Sequence, residues 1–206
     1  MAAAPRSDAG LRAVRFWLAV GLLLAAAGCT HLPATKGSAL TWPAQRDSLL
    51  TLTRFNFSGR LAVSGAAGAF SAGLDWQQAD QVSTSDIRGP LGLTVAQLSF
   101  DGRILRVTTE AGEVSGANAE QTLEQALGFA PPLTRLAYWL RGCDDPAIEA
   151  ETTLGTGQRL ATLRQDGWDI AYESYLFTGR YWMPSRLTLQ HGGVRVRLVL
   201  QRWALG

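Results

Sequence analysis

Cysteine is nearly absent: the 206 residues hold two, Cys29 and Cys143. A disulfide framework is therefore excluded as the basis of the fold. Long apolar runs are missing too. Phe16 to Ala27 is twelve residues, against the roughly 20 that a helix needs to cross a bilayer. No G-x-S-x-G, Walker loop, CxxC or H-E-x-x-H occurs, so the common hydrolase, nucleotide-hydrolysing, dithiol and zincin chemistries have no motif to rest on. The two histidines offer little. His31 lies near the N-terminus in a Pro/Gly/Ser/Thr-rich stretch, and His191 sits before a Gly-Gly turn, where a solvated turn residue is expected rather than a base. Asp144-Asp145 precedes Pro146, and adjacent carboxylates on a solvated loop hold neither a metal nor an acid–base pair. No enzyme activity and no metal site are expected.

Basic runs are lacking as well. Arg6, Arg12 and Arg15 against Asp8 account for the whole formal charge of +2, and the rest of the chain carries as many acidic as basic side chains. That neutrality speaks against nucleic-acid binding and against electrostatic docking on anionic lipid.

What is present begins with a leader. The three arginines, the short apolar run and the small residues Ala26-Ala27-Gly28 before Cys29 read as an export signal. The last four residues resemble a bacterial lipobox, with Ala26 where Leu is usual. Residues 1–28 are expected to be removed. Cys29 then becomes the first residue, carrying diacylglyceryl and N-acyl groups; no other cofactor is expected. Residues 29–40 read as the lipidated N-terminus and a tether. A lipidated Cys29 cannot pair, so Cys143 is expected to be a free, half-buried loop thiol without reactivity. Residues 41–206 read as one domain, large enough for a single core.

Within it, Trp42-Pro43 can open a short helix, since proline is tolerated in a first turn, with Leu49, Leu50 and Leu52 on its apolar side. The period then changes to two: Phe55, Phe57, Gly59, Leu61 and Val63 on one face, then Phe70, Ala72, Leu74 and Trp76 after the turn at 64–69. Strand-like runs follow at 82–88, 93–100, 103–109 and 112–116, with Asp101-Gly102 as a two-residue hairpin signal. A helix from Asn118 to Gly128 and another opened by Pro131-Pro132 and ended by Gly142 interrupt them. Strands resume at 158–165, 168–175, 186–190 and 194–203. Roughly ten antiparallel strands in consecutive hairpins favour a meander that curls into a barrel or half-barrel. Six of the seven tryptophans lie beyond the leader. They suit either core packing or an aromatic-lined cavity for an acyl chain.

The ordered segments Phe57–Val63 (FSGRLAV), Phe70 to Trp76 ending in WQQ, Gly89-Pro90-Leu91-Gly92, Pro132–Gly142 (PLTRLAYWLRG), Gln165–Tyr172, Met183–Leu187 and Val196–Trp203 resemble the LolB family, the outer-membrane receptors for lipoproteins in Gram-negative bacteria. The resemblance implies a mainly β fold, an incomplete antiparallel barrel with two or three short helices as a lid over an apolar cavity. It implies a monomeric, lipid-anchored, periplasm-facing protein of the outer membrane. Such a protein accepts acylated lipoproteins from the periplasmic carrier LolA and releases them into the inner leaflet without nucleotide hydrolysis. Same-face positions nominate the cavity walls: Phe57, Leu61, Phe70, Leu74 and Trp76 from the first hairpin, Leu136, Trp139 and Leu140 from a helix, and Ile170, Tyr172, Val196 and Leu198 from late strands. About half are expected to touch ligand, because periodicity does not separate wall from core. Leu91 stands apart. Taken by itself, an apolar loop residue is expected to tuck into the core; the resemblance implies instead that it protrudes and delivers cargo to the membrane. Two rival readings stay open on the residues alone: a passive lipid-binding lipoprotein with no carrier, and a structural outer-membrane lipoprotein with a solid core.

Overall fold

The computed structural model describes residues 41–66, 68–117, 121, 123, 124 and 131–206. The expected leader, Cys29, the tether with His31 and most of the expected helix from Asn118 to Gly128 lie outside the described residues.

The elements run in this order: α1 (Trp42–Leu50), β1 (Arg54–Gly65), β2 (Gly68–Ala79), β3 (Val82–Arg88), β4 (Thr94–Phe100), β5 (Leu105–Thr109), β6 (Gly112–Gly116), α2 (Leu133–Leu140), β7 (Glu151–Leu154), a single 3-10 turn (Thr156–Gln158), β8 (Leu160–Gln165), β9 (Trp168–Phe177), β10 (Trp182–His191) and β11 (Val194–Leu205). The strands form one eleven-stranded antiparallel sheet, ordered β6-β5-β4-β3-β2-β1-β11-β10-β9-β8-β7. Two meanders, β1–β6 and β7–β11, are thus joined by one pairing distant in sequence, β1 with β11. The edge strands β6 and β7 do not pair with each other, so the barrel stays open. The fold is mainly β and the barrel incomplete, as the resemblance implies.

Period-two alternation builds this sheet. Phe55, Phe57 and Val63 of β1 are buried while Arg54, Asn56, Arg60 and Ser64 are exposed, and Leu198 and Leu200 of β11 are buried while Arg195 and Arg197 are exposed. Cross-strand pairs such as Phe57 with Trp76 hold the register.

Three departures from the periodicity have local causes. Asp101-Gly102 is part of a four-residue connection: Phe100 pairs with Leu105, and the Asp101 carboxylate accepts from the N–H groups of Arg103 and Ile104 at 2.9 and 2.7 Å, which holds it below its usual carboxyl range. β10 starts at Trp182 rather than 186. Pro184, which has no N–H to give a ladder, is accommodated by a register shift between Pro184 and Arg186. β7 is a strand that the periodicity does not predict, because all four of its residues are exposed and carry no alternation.

The helices close over the concave side. α2 ends in a Schellman motif: the Gly142 N–H donates to Trp139 O at 3.0 Å and the Cys143 N–H to Tyr138 O at 3.1 Å, with Gly142 at φ +78°, where a Cβ would press on Pro184. Arg141, just before it, is buried and ties α2 to α1. Its Nη1 donates to Leu49 O and Leu52 O, and its Nε donates to Ala137 O. The guanidinium also lies over the rings of Phe55 and Tyr138. Arg46 of α1 makes a two-pronged contact with buried Asp144. Burial opposes ionisation of that carboxyl, but the hydrogen bonds and charge of Arg46 outweigh it and keep Asp144 ionised. Asp144 is therefore a buried structural acid, not the solvated loop residue expected.

Candidate functional site: an apolar cavity and its rim

Concave side chains of the sheet and the facing side of α2 leave a hollow between them. It is a cavity of about 590 Å³, within the roughly 300–1,000 Å³ of small-molecule sites. Its walls are almost wholly apolar, with Ser71, Ser83, Ser85 and Thr109 as the side-chain hydroxyls among the lining residues.

Of the expected wall residues, Leu61, Phe70, Leu74, Trp76, Leu136, Leu140, Val196 and Leu198 line this cavity. Four do not, and each is core for a visible reason. Phe57 is covered on the concave side at the foot of β1, where the Trp203 ring packs against it at a tilt with centroids 4.8 Å apart. Trp139 lies about 100° round α2 from Leu140 and turns toward β8, its indole N–H donating to Gln165 Oε1 at 2.8 Å. Tyr172 donates its hydroxyl to Trp139 O at 2.9 Å and Ile170 belongs to the same packed cluster, so both lie in the packed core against α2. The β8–β9 side of the concavity is therefore filled, and the β2–β5 side is hollow.

That hollow side is what sequence reasoning missed. Ile87 of β3, Leu98 and Phe100 of β4, Leu105 and Val107 of β5, and Leu133 of α2 also form wall. The strands were legible; their inward faces carry serine and threonine among the apolar residues, which blurs the alternation that marks a wall.

Register places the rim. Arg88 pairs with Gly73 and Gly65 with Gly68, Thr109 with Gly112, His191 with Val194 and Gln165 with Trp168. The turns after β1, β3, β5, β8 and β10 therefore share one end of the sheet. At this end the Gly92 N–H donates to Gly89 O and the Gly89 N–H to Leu93 O, both at 2.9 Å, closing a β-turn with Pro90 and Leu91 at its centre. Gly92 takes φ +78°. Leu91 is 89% exposed and Leu93 69%, so Leu91 protrudes as the resemblance implies, and the burial expected of a loop leucine taken by itself is overturned. The reason is geometric: the turn is tight, and both central side chains stand beyond the last ladder bond. Gly89, Pro90 and Val95 line the cavity, so Leu91 stands on its rim.

The remaining candidates are structural. His191 is exposed, with Nδ1 2.9 Å from Gly167 O and its ring stacked on Trp168. Cys143 is fully buried rather than half-buried, and burial pushes its thiol up to about 12. Cys143 should therefore resist alkylation by iodoacetamide in the native protein at neutral pH and be modified in urea, as intact mass will report. Fast native labelling would show that the loop opens. Among the described residues no group of acidic, histidine or cysteine side chains is arranged to hold a metal, and no helix is long and apolar enough to cross a membrane.

An open antiparallel sheet wrapped round an apolar hollow, with an apolar turn on its rim, defines the class: a half-barrel with an apolar cavity. Similarity to known proteins narrows it. A profile of the family described as "Outer membrane lipoprotein LolB" matches residues 53–203. The outer-membrane lipoprotein LolB of Pseudomonas fluorescens is 30% identical over 196 residues, covering 92% of this chain and 96% of its own. That of Nitrosomonas europaea is 32% identical over 197 residues, covering 93% and 92%. The crystal structure of a LolA superfamily protein from Nitrosomonas europaea superposes with a TM-score of 0.54 at 11% identity, over 82% of this chain and 94% of that one. A DUF1329 family protein from Desulfovibrio piger does so with a TM-score of 0.54 at 6% identity, over 78% and 88%. At such identities the likeness concerns the fold alone. The chain belongs to the LolB family of outer-membrane lipoproteins, and its role lies in lipoprotein localization.

Proposed function

We propose that this protein accepts acylated lipoproteins from the periplasmic carrier LolA, holds their acyl chains in the cavity between β1–β5 and α2, and releases them into the inner leaflet of the outer membrane. The observation that carries the reading is the apolar hollow whose rim bears exposed Leu91. Each CH₂ moved out of water contributes about 0.8 kcal/mol, so an acylated protein crosses an aqueous gap very slowly unless its chains pass from one apolar site to another. Direction then needs only a difference in affinity between carrier, receptor and membrane, and no nucleotide is consumed. The protein acts as a monomer on the periplasmic side, held by lipid on Cys29. The N-terminal peptide of membrane-extracted protein should show a thioether-linked diacylglyceryl on Cys29 by mass spectrometry; an unmodified Cys29 refutes the anchor.

The cavity is tested by filling it. Ala96 of β4 lines it and is half-buried. Ala96→Trp should leave the fold intact and displace at least two methylenes of any bound chain, weakening acyl binding by roughly tenfold or more. The assay mixes a carrier–lipoprotein complex with the mature chain carrying Cys29→Ala, exported behind a cleavable signal, and follows cargo and an apolar fluorescent probe. Unchanged acceptance by folded Ala96→Trp would place the acyl chains elsewhere.

A further inference from the structure

Net neutrality conceals a segregated charge. Arg60 of β1, Arg186 of β10 and Arg195 and Arg197 of β11 are all exposed on the face opposite the cavity. Register makes them neighbours. Arg60 and Arg186 flank Val199 from either side of β11, and Arg197 and Arg195 follow on the same face of β11 at two-residue steps. With strands about 4.8 Å apart and a rise of about 3.4 Å per residue, the four cover a patch of roughly 10 by 14 Å. Among the described residues none of the four makes an ion pair. Of the nearby carboxylates, Asp75 is paired with Arg88 and Asp169 with Arg164; Glu173 accepts from the Thr188 hydroxyl and keeps its charge, one negative against four positive.

The patch begins at the rim. Arg195 pairs with Ser64 beside the β1–β2 turn, the same end of the sheet as Leu91, which β3 carries three strands from β11, or about 14 Å away. We infer that this arginine patch docks on the phosphate layer of an anionic phospholipid surface, leaning the domain on its β1/β11/β10 face while the Leu91 turn enters the lipid. A bilayer presents phosphate charge and apolar depth at a single boundary, which is the pairing found at this end of the sheet, and guanidinium groups engage phosphate oxygens through paired donors. The inference rests on reading Leu91 as the lipid-entering tip.

The test uses the mature chain with Cys29→Ala, floated with phosphatidylcholine vesicles that contain or lack phosphatidylglycerol. The unsubstituted patch should bind the anionic vesicles more tightly, with the difference falling as salt rises. Replacing all four arginines by Gln should remove that difference, about fivefold per arginine and on the order of a hundredfold or more together, while the four-Lys variant retains it. If the four-Gln chain does not fold, Arg195→Gln with Arg197→Gln reads the same increment. Leu91→Glu tests the tip separately, since it should lower binding to both vesicle types. Equal binding to both vesicles by the unsubstituted chain overturns the inference. So does a four-Gln variant that keeps its anionic preference, or one that loses only acceptance from the carrier, which would assign the patch to a protein partner.

Discussion

If the protein works as proposed, Leu91→Glu should leave it folded and able to take cargo from its carrier, yet stop delivery to the membrane. The substitution touches nothing structural: Leu91 is 89% exposed, and the turn that carries it is closed by backbone hydrogen bonds and by the φ of Gly92. The stability change should therefore stay within about 0.5 kcal/mol. The effect on delivery is large because the leucine's full burial in lipid gains about 1.5–3 kcal/mol, and a carboxylate in its place must be desolvated instead. Brief insertion beside an existing lipid anchor is favourable with Leu and unfavourable with Glu, a difference of more than a hundredfold in occupancy. A two-step assay, carrier to receptor and then receptor to liposome, separates the two events. If Leu91→Glu melts the domain or blocks the first step while sparing the second, the residue packs or docks the carrier, and the proposed release mechanism is wrong.

Arg141→Met should lower unfolding stability by about 2 kcal/mol. Methionine keeps much of the packing between Phe55 and Tyr138 but donates nothing, so Leu52 O at the buried end of α1 loses its guanidinium donor, while Leu49 O keeps the Leu52 N–H. Each unsatisfied buried acceptor costs about 1–3 kcal/mol. Removing the charge recovers part of this, because burial already pushes the Arg141 pKa down and no carboxylate pairs with it among the described residues. Backbone carbonyls, however, cannot be substituted away along with their partner. Lysine should restore only part of the loss, having a single charged nitrogen to span two carbonyls. Urea unfolding midpoints at a common m-value measure this. A change under about 1 kcal/mol would mean that α1 and α2 are held by their apolar contacts alone. Loosening of this joint should also weaken acyl-chain binding, since α2 supplies Leu133, Leu136 and Leu140 to the cavity wall.

Much of the site is legible in the sequence. Strand alternation marks Leu61, Leu74, Val196 and Leu198 as wall, and they line the hollow; Pro90 and the final glycine mark the turn at Gly89–Gly92. The errors cluster where one-dimensional pattern loses information. Phe57, Trp139, Ile170 and Tyr172 face inward as their periodicity requires, but whether an inward residue borders a void depends on what packs opposite it. On the β8–β9 side, Trp139 and Gln165 fill that space; opposite β3–β5 it remains hollow.

From the sequence alone came the number and direction of most strands, the polarity of each face and the end points of α2, because these follow from local rules: period two, period 3.6 and the conformations that Pro and Gly permit. The open barrel and the protruding Leu91 came from the resemblance and not from local pattern. Only the tertiary structure decided the pairing of β1 with β11, which strands form the open edges, which inward residues border the hollow and the gathering of four arginines from three strands. Each depends on residues far apart in the chain meeting across the sheet, and neither local propensity nor net charge records which of them meet.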